Sequence, residues 1–302
     1  MDTSQSAAPS LDSMLVEAVR DGVVEQVQTL LAAGASPHAL SCFGKPLTFS
    51  TSSEAILRAL VQYGLDIDAR SPLTGYTCLH LEAGGPAQNV DVLLRLGADP
   101  NARDAEGRTP LFRAQTADLL EIIEFLVAHG ANVNVQADDG RSPLHEAAEW
   151  GDCEVVEALL RHGAIMALRD RAGETPLILA AMMGRGHDMV PLLIARGADV
   201  NAASHCGDRA LHLAAYNGAD ETVRALLSAG AEINATNADG QTALDLAVSR
   251  GVASTAQLLR DYGGHGGRAT GSRGTGDVPP FSDPRGRHPP PSGERKPRDD
   301  PR

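Results

Sequence analysis

The sequence predicts an all-α solenoid of stacked helix-turn-helix units with β-hairpin-like turns, and three periodic features predict it. The first is a glycine that closes each Leu-rich stretch, at Gly34, Gly64, Gly97, Gly130, Gly163, Gly197, Gly230 and Gly263, spaced by 30, 33, 33, 33, 34, 33 and 33 residues. The second is a turn glycine that interleaves with it, at Gly44, Gly75, Gly107, Gly140, Gly173, Gly207 and Gly240. The third is a recurring helix start: RTPLFRA at 108–114, ETPLILA at 174–180, DRALHLAA at 208–215 and QTALDLAV at 241–248. Three features sharing one period of about 33 mark a repeat architecture, which grows by adding units rather than by enlarging one core.

The fifth unit, Asp138 to Ala164, shows how each element follows from its residues. Asp138-Asp139-Gly140 is a turn, because Asp bonds its own backbone and Gly adopts positive φ without cost. Ser142 caps a first helix and Pro143 occupies its first turn, where a missing N–H loses nothing. Ala147 and Ala148 are small enough for a neighbouring helix to approach closely. Gly151 ends that helix in a left-handed residue. Val155, Val156, Leu159 and Leu160 recur at helical spacing and form the apolar face of a second helix, which Gly163 stops. One such pair buries too little to stand alone, and stacking completes the core.

These residues resemble the ankyrin repeat, whose signature is a TPLH-type helix start at a period near 33. The resemblance covers residues 12–263, or 252 of the 302, in eight units. The first (Leu15 to Ala35) and the eighth (Leu244 to Gly263) read as caps, the eighth presenting Ser249, Arg250, Gln257 and Arg260. The second unit is two residues short between its helices and lacks the Ala-Ala pair. The third is one residue short and carries Gly84-Gly85-Pro86 at its helix end, so both should pack less well. Residues 1–11 are expected to be disordered. So is the segment 264–302, which is rich in Gly, Pro and Arg and too poor in aliphatic residues to offset its ordering entropy. Within it His288-Pro289-Pro290-Pro291 suits local polyproline II geometry.

Charge separates these parts. Residues 264–302 hold eight basic and five acidic groups, a net of +3. Residues 1–263 hold 18 basic and 34 acidic groups, a net of −16. A body that acidic repels phosphate backbones, so no nucleic-acid partner is expected. The cysteines Cys42, Cys78, Cys153 and Cys206 form no CxxC pair and fall in four different units, which suggests neither a zinc site nor a disulfide framework. The N-terminal residues show no basic region followed by an apolar run, and no stretch reaches the ~18 apolar residues of a membrane helix. A cytoplasmic or nuclear monomer without a membrane is the expectation.

Candidate chemistry reduces to structure. His80, His145 and His212 each hold the last place of a TPLH-type start. The resemblance implies a hydrogen-bonding role there, between neighbouring turns, and a repeat's separation is too long to share a metal. His129 and His162 precede helix-ending glycines and suit the negative helix terminus. No GxSxG, HExxH or GxxxxGK[ST] motif occurs. Gly184-Arg185-Gly186 follows no strand and fails the context of a dinucleotide site. Asn101, Asn134, Asn201 and Asn234 are expected to support their hairpins by bonding their own backbone. No enzyme activity, cofactor or metal is expected.

A partner site is read from the resemblance. In ankyrin-like stacks the concave groove is lined by turn tips and by exposed first-helix positions. By alignment those positions are Thr116 and Ala117, Glu149 and Trp150, Met182 and Met183, Tyr216 and Asn217, then Ser249 and Arg250. Trp and Tyr are enriched at interface hot spots and Met adapts to irregular partners. Trp150, Met182, Met183 and Tyr216, with Arg141, Glu149 and Asn217 beside them, are therefore the candidate partner-binding residues. A tip rim of Asp138, Asp139, Arg141, Asp170, Arg171, Glu174, Asp208 and Asp239 suits a protein with basic residues around an apolar anchor. The leading reading is a non-catalytic interaction scaffold or adaptor. The alternatives are an accessory or degenerate enzyme with its site at the second and third units, around Cys78 and His80, and a binder gated by its own basic tail.

Overall fold

The computed structural model describes residues 9–41, 45–113, 118–183 and 188–267. Eight helix pairs follow one another along the chain. The first helix of each pair is α1 (Leu11–Arg20), a 3₁₀ turn (Leu47–Ser50), α4 (Cys78–Glu82), a second 3₁₀ turn (Pro110–Arg113), α7 (Pro143–Trp150), α9 (Pro176–Met182), α11 (Ala210–Asn217) and α13 (Ala243–Ser249). The second helices are α2 (Val24–Ala32), α3 (Glu54–Gln62), α5 (Ala87–Arg95), α6 (Leu119–Ala128), α8 (Cys153–Arg161), α10 (Met189–Ala195), α12 (Asp220–Ser228) and α14 (Ala253–Asp261). Among the described residues strand pairing is limited to two isolated antiparallel bridges, Leu40 with Pro46 and Ala203 with Arg209. The all-α solenoid is thus the fold.

The expected local devices build these helices. Ser142 and His145 form a capping box at the start of α7, with Pro143 in the first turn and Gly151 left-handed at φ 78° beyond its end. Ala147, Ala148, Ala180, Ala181, Ala214 and Ala215 are buried, so the first helices α7, α9 and α11 lie side by side in close contact. The second helices supply the larger side chains, such as Val156, Leu159, Val190, Leu193, Val223 and Leu226, all buried.

Each hairpin closes with one backbone bond, as from Ala137 N–H to the Arg141 carbonyl at 2.8 Å and from Asp170 N–H to the Glu174 carbonyl at 3.0 Å. Successive tips are then laced together, for example Asp138 N–H to the Glu106 carbonyl and Arg171 N–H to the Asp139 carbonyl, both 2.9 Å. This lacing explains the tip glycines twice over. Gly140 sits at φ 81°, and a Cβ there would lie 2.7 Å from the backbone nitrogen of Arg171. Gly163, at φ 84°, has open space around it and needs glycine only for its conformation.

The turn asparagines work differently from the sequence expectation. Asn134 accepts from the Ile165 N–H at 2.8 Å and donates to the Gly163 carbonyl at 3.0 Å, both in the next unit. Asn101 and Asn201 bridge forward in the same way, and Asn234 accepts from the His265 N–H. The side chain therefore staples two units together, because stacking brings the next backbone within its reach.

The second and third units are the shortened ones. The second replaces its first helix with a single 3₁₀ turn, and α4 of the third spans five residues. An open cleft of about 520 Å³, walled by Val19, Arg20, Phe49, Ser52, Ser53 and Glu82, lies where the second unit's helix is cut short. The fourth unit, which reads as regular, also opens with a 3₁₀ turn. Its Phe112 stands where other units carry His, so it offers no acceptor for a capping box, and Asp118 stands where other units carry the helix-ending Gly. Buried apolar residues fall into two clusters, a smaller one from Leu15 to Leu65 and a larger one from Leu57 to Leu259.

At the C-terminal end Ser249, Arg250, Gln257 and Arg260 are exposed. The chain stays on the eighth unit beyond Gly263: Thr242 Oγ1 donates to the His265 carbonyl at 3.1 Å, and Gly267 N–H donates to Asp245 Oδ2 at 2.8 Å. Residues 1–8, 42–44, 114–117, 184–187 and 268–302 lie outside the described residues. With them lie Cys42, Thr116, Ala117, the Gly184–Gly186 loop and His288–Pro291.

Candidate functional site

The histidines are structural. His145 Nδ1 accepts from the Ser142 N–H at 3.1 Å, which places the proton on Nε2, and Nε2 donates to the Glu174 carbonyl of the next unit at 3.1 Å. His80 bonds Thr77 and the Arg108 carbonyl in the same manner, and His212 bonds Arg209 and the Gln241 carbonyl. All three rings are buried, and burial holds their pKa values below the ordinary histidine value. Cys78 does not pair with His80. Its thiol donates to the Thr48 carbonyl at 2.9 Å, and burial pushes its pKa up, the reverse of what a nucleophilic thiol needs. His80 instead stacks on Tyr76, with centroids 5.6 Å apart. Among the described residues no group of three or more His, Cys, Asp or Glu side chains is placed to hold a metal, and no helix is long and apolar enough to cross a membrane.

The face made by the hairpin tips and the first helices of units five to seven carries the candidate binding residues. Trp150, the last residue of α7, is 43% exposed, and its Nε1–H donates to Glu146 Oε2 at 3.3 Å one turn earlier. Met182 and Met183 close α9 and are half-buried, Met182 packing on the core. Asn217 is exposed at the end of α11, and its Nδ2 donates to the Met182 carbonyl at 2.5 Å. Tyr216 is half-buried, with the Arg250 guanidinium 4.5 Å above its ring. Asn217 thus bonds the preceding unit and Arg250 covers Tyr216 from the following one, while Trp150 is tied within its own helix.

Arg141 and Glu149 have a different place. Arg141 is 6% exposed. Its Nη1 bonds Glu149 Oε2 at 2.5 Å, and its Nε lies 3.7 Å from Asp170 Oδ2. It crosses the seam between units five and six beneath the row. Asp170 and Asp208 are also inside: Asp170 Oδ1 accepts from the Ala172 and Glu174 N–H groups of its own hairpin, and Asp208 accepts from Asn237. Of the rim read from sequence, Asp138, Arg171 and Asp239 are exposed, and Arg141, Asp170 and Asp208 hold the tips together. Glu174 bears the electrostatic cost of this packing. Burial, reinforced by Asp170, raises its pKa to about 7 against an ordinary carboxyl value near 4.5.

Sequence reasoning missed Glu146 and Arg108. Glu146 Oε1 is buried without a hydrogen bond, and the Arg108 and Arg141 guanidiniums stand 3.6 and 3.8 Å from it. Arg108 reaches it from the preceding unit, a meeting that alignment of equivalent positions does not display. The only signal was that position's residue type. Glu146 aligns with Leu81, Arg113, Leu179, Leu213 and Leu246, so a carboxylate there is the exception.

A family profile for ankyrin repeats (three copies) matches residues 82–170, 137–204, 165–237 and 186–269, together well over half of the chain. Cyclin-dependent kinase 4 inhibitor B of Homo sapiens is 36% identical over 107 residues, covering 34% of this chain and 78% of that protein. Cyclin-dependent kinase inhibitor 2A of Homo sapiens is 34% identical over 113 residues, covering 36% and 72%. Putative ankyrin repeat protein FPV232 of Fowlpox virus (strain NVSL) is 34% identical over 80 residues, and the alignment spans 24% of this chain and 16% of the viral protein.

Proposed function

The chain belongs to the ankyrin-repeat family, and from that membership we propose that it is a non-catalytic protein-binding module, a scaffold or adaptor that holds a partner on its tip-and-first-helix face. One observation carries this reading. A large aromatic, Trp150, stands 43% exposed on the same face as Met182, Met183, Tyr216 and Asn217, beside the buried Arg141, which bonds Glu149 and crosses to Asp170 of the next unit. Exposed aromatics on a rigid base are the usual anchors of protein interfaces. The chemistry on offer is surface complementarity, in a monomer of the cytoplasm or nucleus.

The test is a Trp150→Ala/Tyr216→Ala double variant. A partner captured by the wild type should be lost by the variant while its thermal melt stays unchanged. Equal capture by both would remove this face from the function.

A cyclin-dependent kinase is the partner class suggested by the names of two relatives. Titration of purified cyclin-dependent kinase 4 should then give binding that the double variant weakens at least tenfold. A second reading has the basic tail regulate access. Its support is the charge contrast of +3 against −16, and the bond from Gly267 to Asp245, which starts the tail on the eighth unit. Deleting residues 268–302 should raise partner affinity at low salt, and added salt should shrink the gain.

A further inference from the structure

A small cavity of about 40 Å³ opens between units four and five, walled by Leu111, Phe112, Ala147 and Trp150 and by two carboxylates, Glu146 and Asp152. Among the described residues its charged lining is acidic. The two nearby cations are already engaged by other carboxylates. Arg141 bonds Glu149 and lies near Asp170, and Arg108 lies 3.3 Å from Glu106 and 3.9 Å from Asp139. Glu146 Oε1 meets both guanidiniums only at 3.6 and 3.8 Å, beyond hydrogen-bonding reach. Five carboxylates therefore share two guanidiniums, and the excess falls at the cavity, where Asp152 adds a sixth. A volume of this size holds a water-sized group, not an aromatic ring. Indole and phenyl faces beside carboxylates attract a cation through the ring quadrupole and through charge together.

We infer that this notch takes the ammonium end of a lysine presented by the partner protein, with the lysine stem along Trp150 and Phe112 and the ammonium toward Glu146 and Asp152. The inference rests on the partner-binding reading of the Trp150 face and names the side chain that face selects. The preference for lysine over arginine follows from the cavity's size.

Trp150 is the only tryptophan in the chain, so its fluorescence reports the notch directly. The full chain is titrated with n-butylammonium chloride and, at the same ionic strength, with n-butanol, which has the stem without the charge. A saturable change with butylammonium is expected, and at least tenfold weaker binding of butanol. Glu146→Gln should weaken butylammonium binding at least fivefold. Asp152→Asn should do the same, and it retains an acceptor for the Val155 N–H at the start of α8, so it keeps the fold if Glu146→Gln does not. Equal responses to the amine and the alcohol, no saturation, or unchanged affinity in both variants would overturn the inference. Deleting residues 268–302 should leave the amine's affinity unchanged. An increase would place the chain's own basic tail in the notch and overturn the assignment to a partner. If the amine behaves like the alcohol while capture still depends on Trp150 and Tyr216, the face stands and the lysine fails. If the amine saturates and capture ignores both residues, the reverse holds.

Discussion

Asn134 shows what one side chain does in a stack: its two bonds join two units whose tips are otherwise laced by a backbone bond such as that from Arg171 to Asp139. Asn134→Ala should cost about 1 to 2 kcal/mol, since it removes two bonds each worth about 1 kcal/mol or less where solvent reaches them, and urea denaturation followed by circular dichroism reads it. Glu174 carries a charge that burial makes the fold tolerate poorly. Its folded pKa of about 7 lies above its unfolded value, so the folded state holds the proton more tightly. The penalty is absent below pH 4.5, grows as pH rises through the window from 4.5 to 7, and is complete above it. Glu174→Gln should therefore raise the melting temperature more at pH 8 than at pH 4.5, by the equivalent of roughly 2 kcal/mol. A gain equal at both pH values would refute this. The buried histidines have lowered pKa values and lose stability in the opposite sense, as pH falls below their unfolded value. That contribution is common to both proteins and cancels in the comparison.

At the scale of elements, the two glycine series look alike in sequence and differ in tolerance. Gly163→Ala meets open space and should cost about 1 kcal/mol, the strain of a left-handed alanine. Gly140→Ala adds a Cβ at 2.7 Å from the Arg171 nitrogen, so the laced tips must part. It should cost at least twice as much by the same denaturation measurement. Helix starts, caps and ends were legible because each is decided within about ten residues, as Ser142, Pro143 and Gly151 are around α7. The 3₁₀ turn of the fourth unit was not, because its TPLF start matches the repeat; the missing ring nitrogen at Phe112 does not decide it, since Ile178 of the sixth unit also lacks one and α9 still forms.

On the scale of the whole molecule, stability runs along the stack as a sum of units and seams. The smaller cluster has 13 buried residues and the larger 43 among the described residues, and the cleft at the second unit lies near their junction. Units one and two should therefore open first. Hydrogen exchange should find residues 11–65 less protected than residues 143–228, and uniform protection would show one cooperative block.

What the sequence determined by itself is the repeat, its period, the helix caps and the structural role of the histidines. Each is written in neighbouring residues and repeated often enough to read. What only the tertiary structure decided is which side chains face out. Arg141, Asp170 and Asp208 read as a charged rim and lie inside it, and Glu146, which drew no reading from sequence, lines a notch. Asn134 read as bonding its own hairpin and bonds the next. The physical reason is common to all of them. Stacking brings residues about 33 positions apart within bonding distance, and long polar side chains settle in the seam between units, where the next unit's backbone and charges determine their partners.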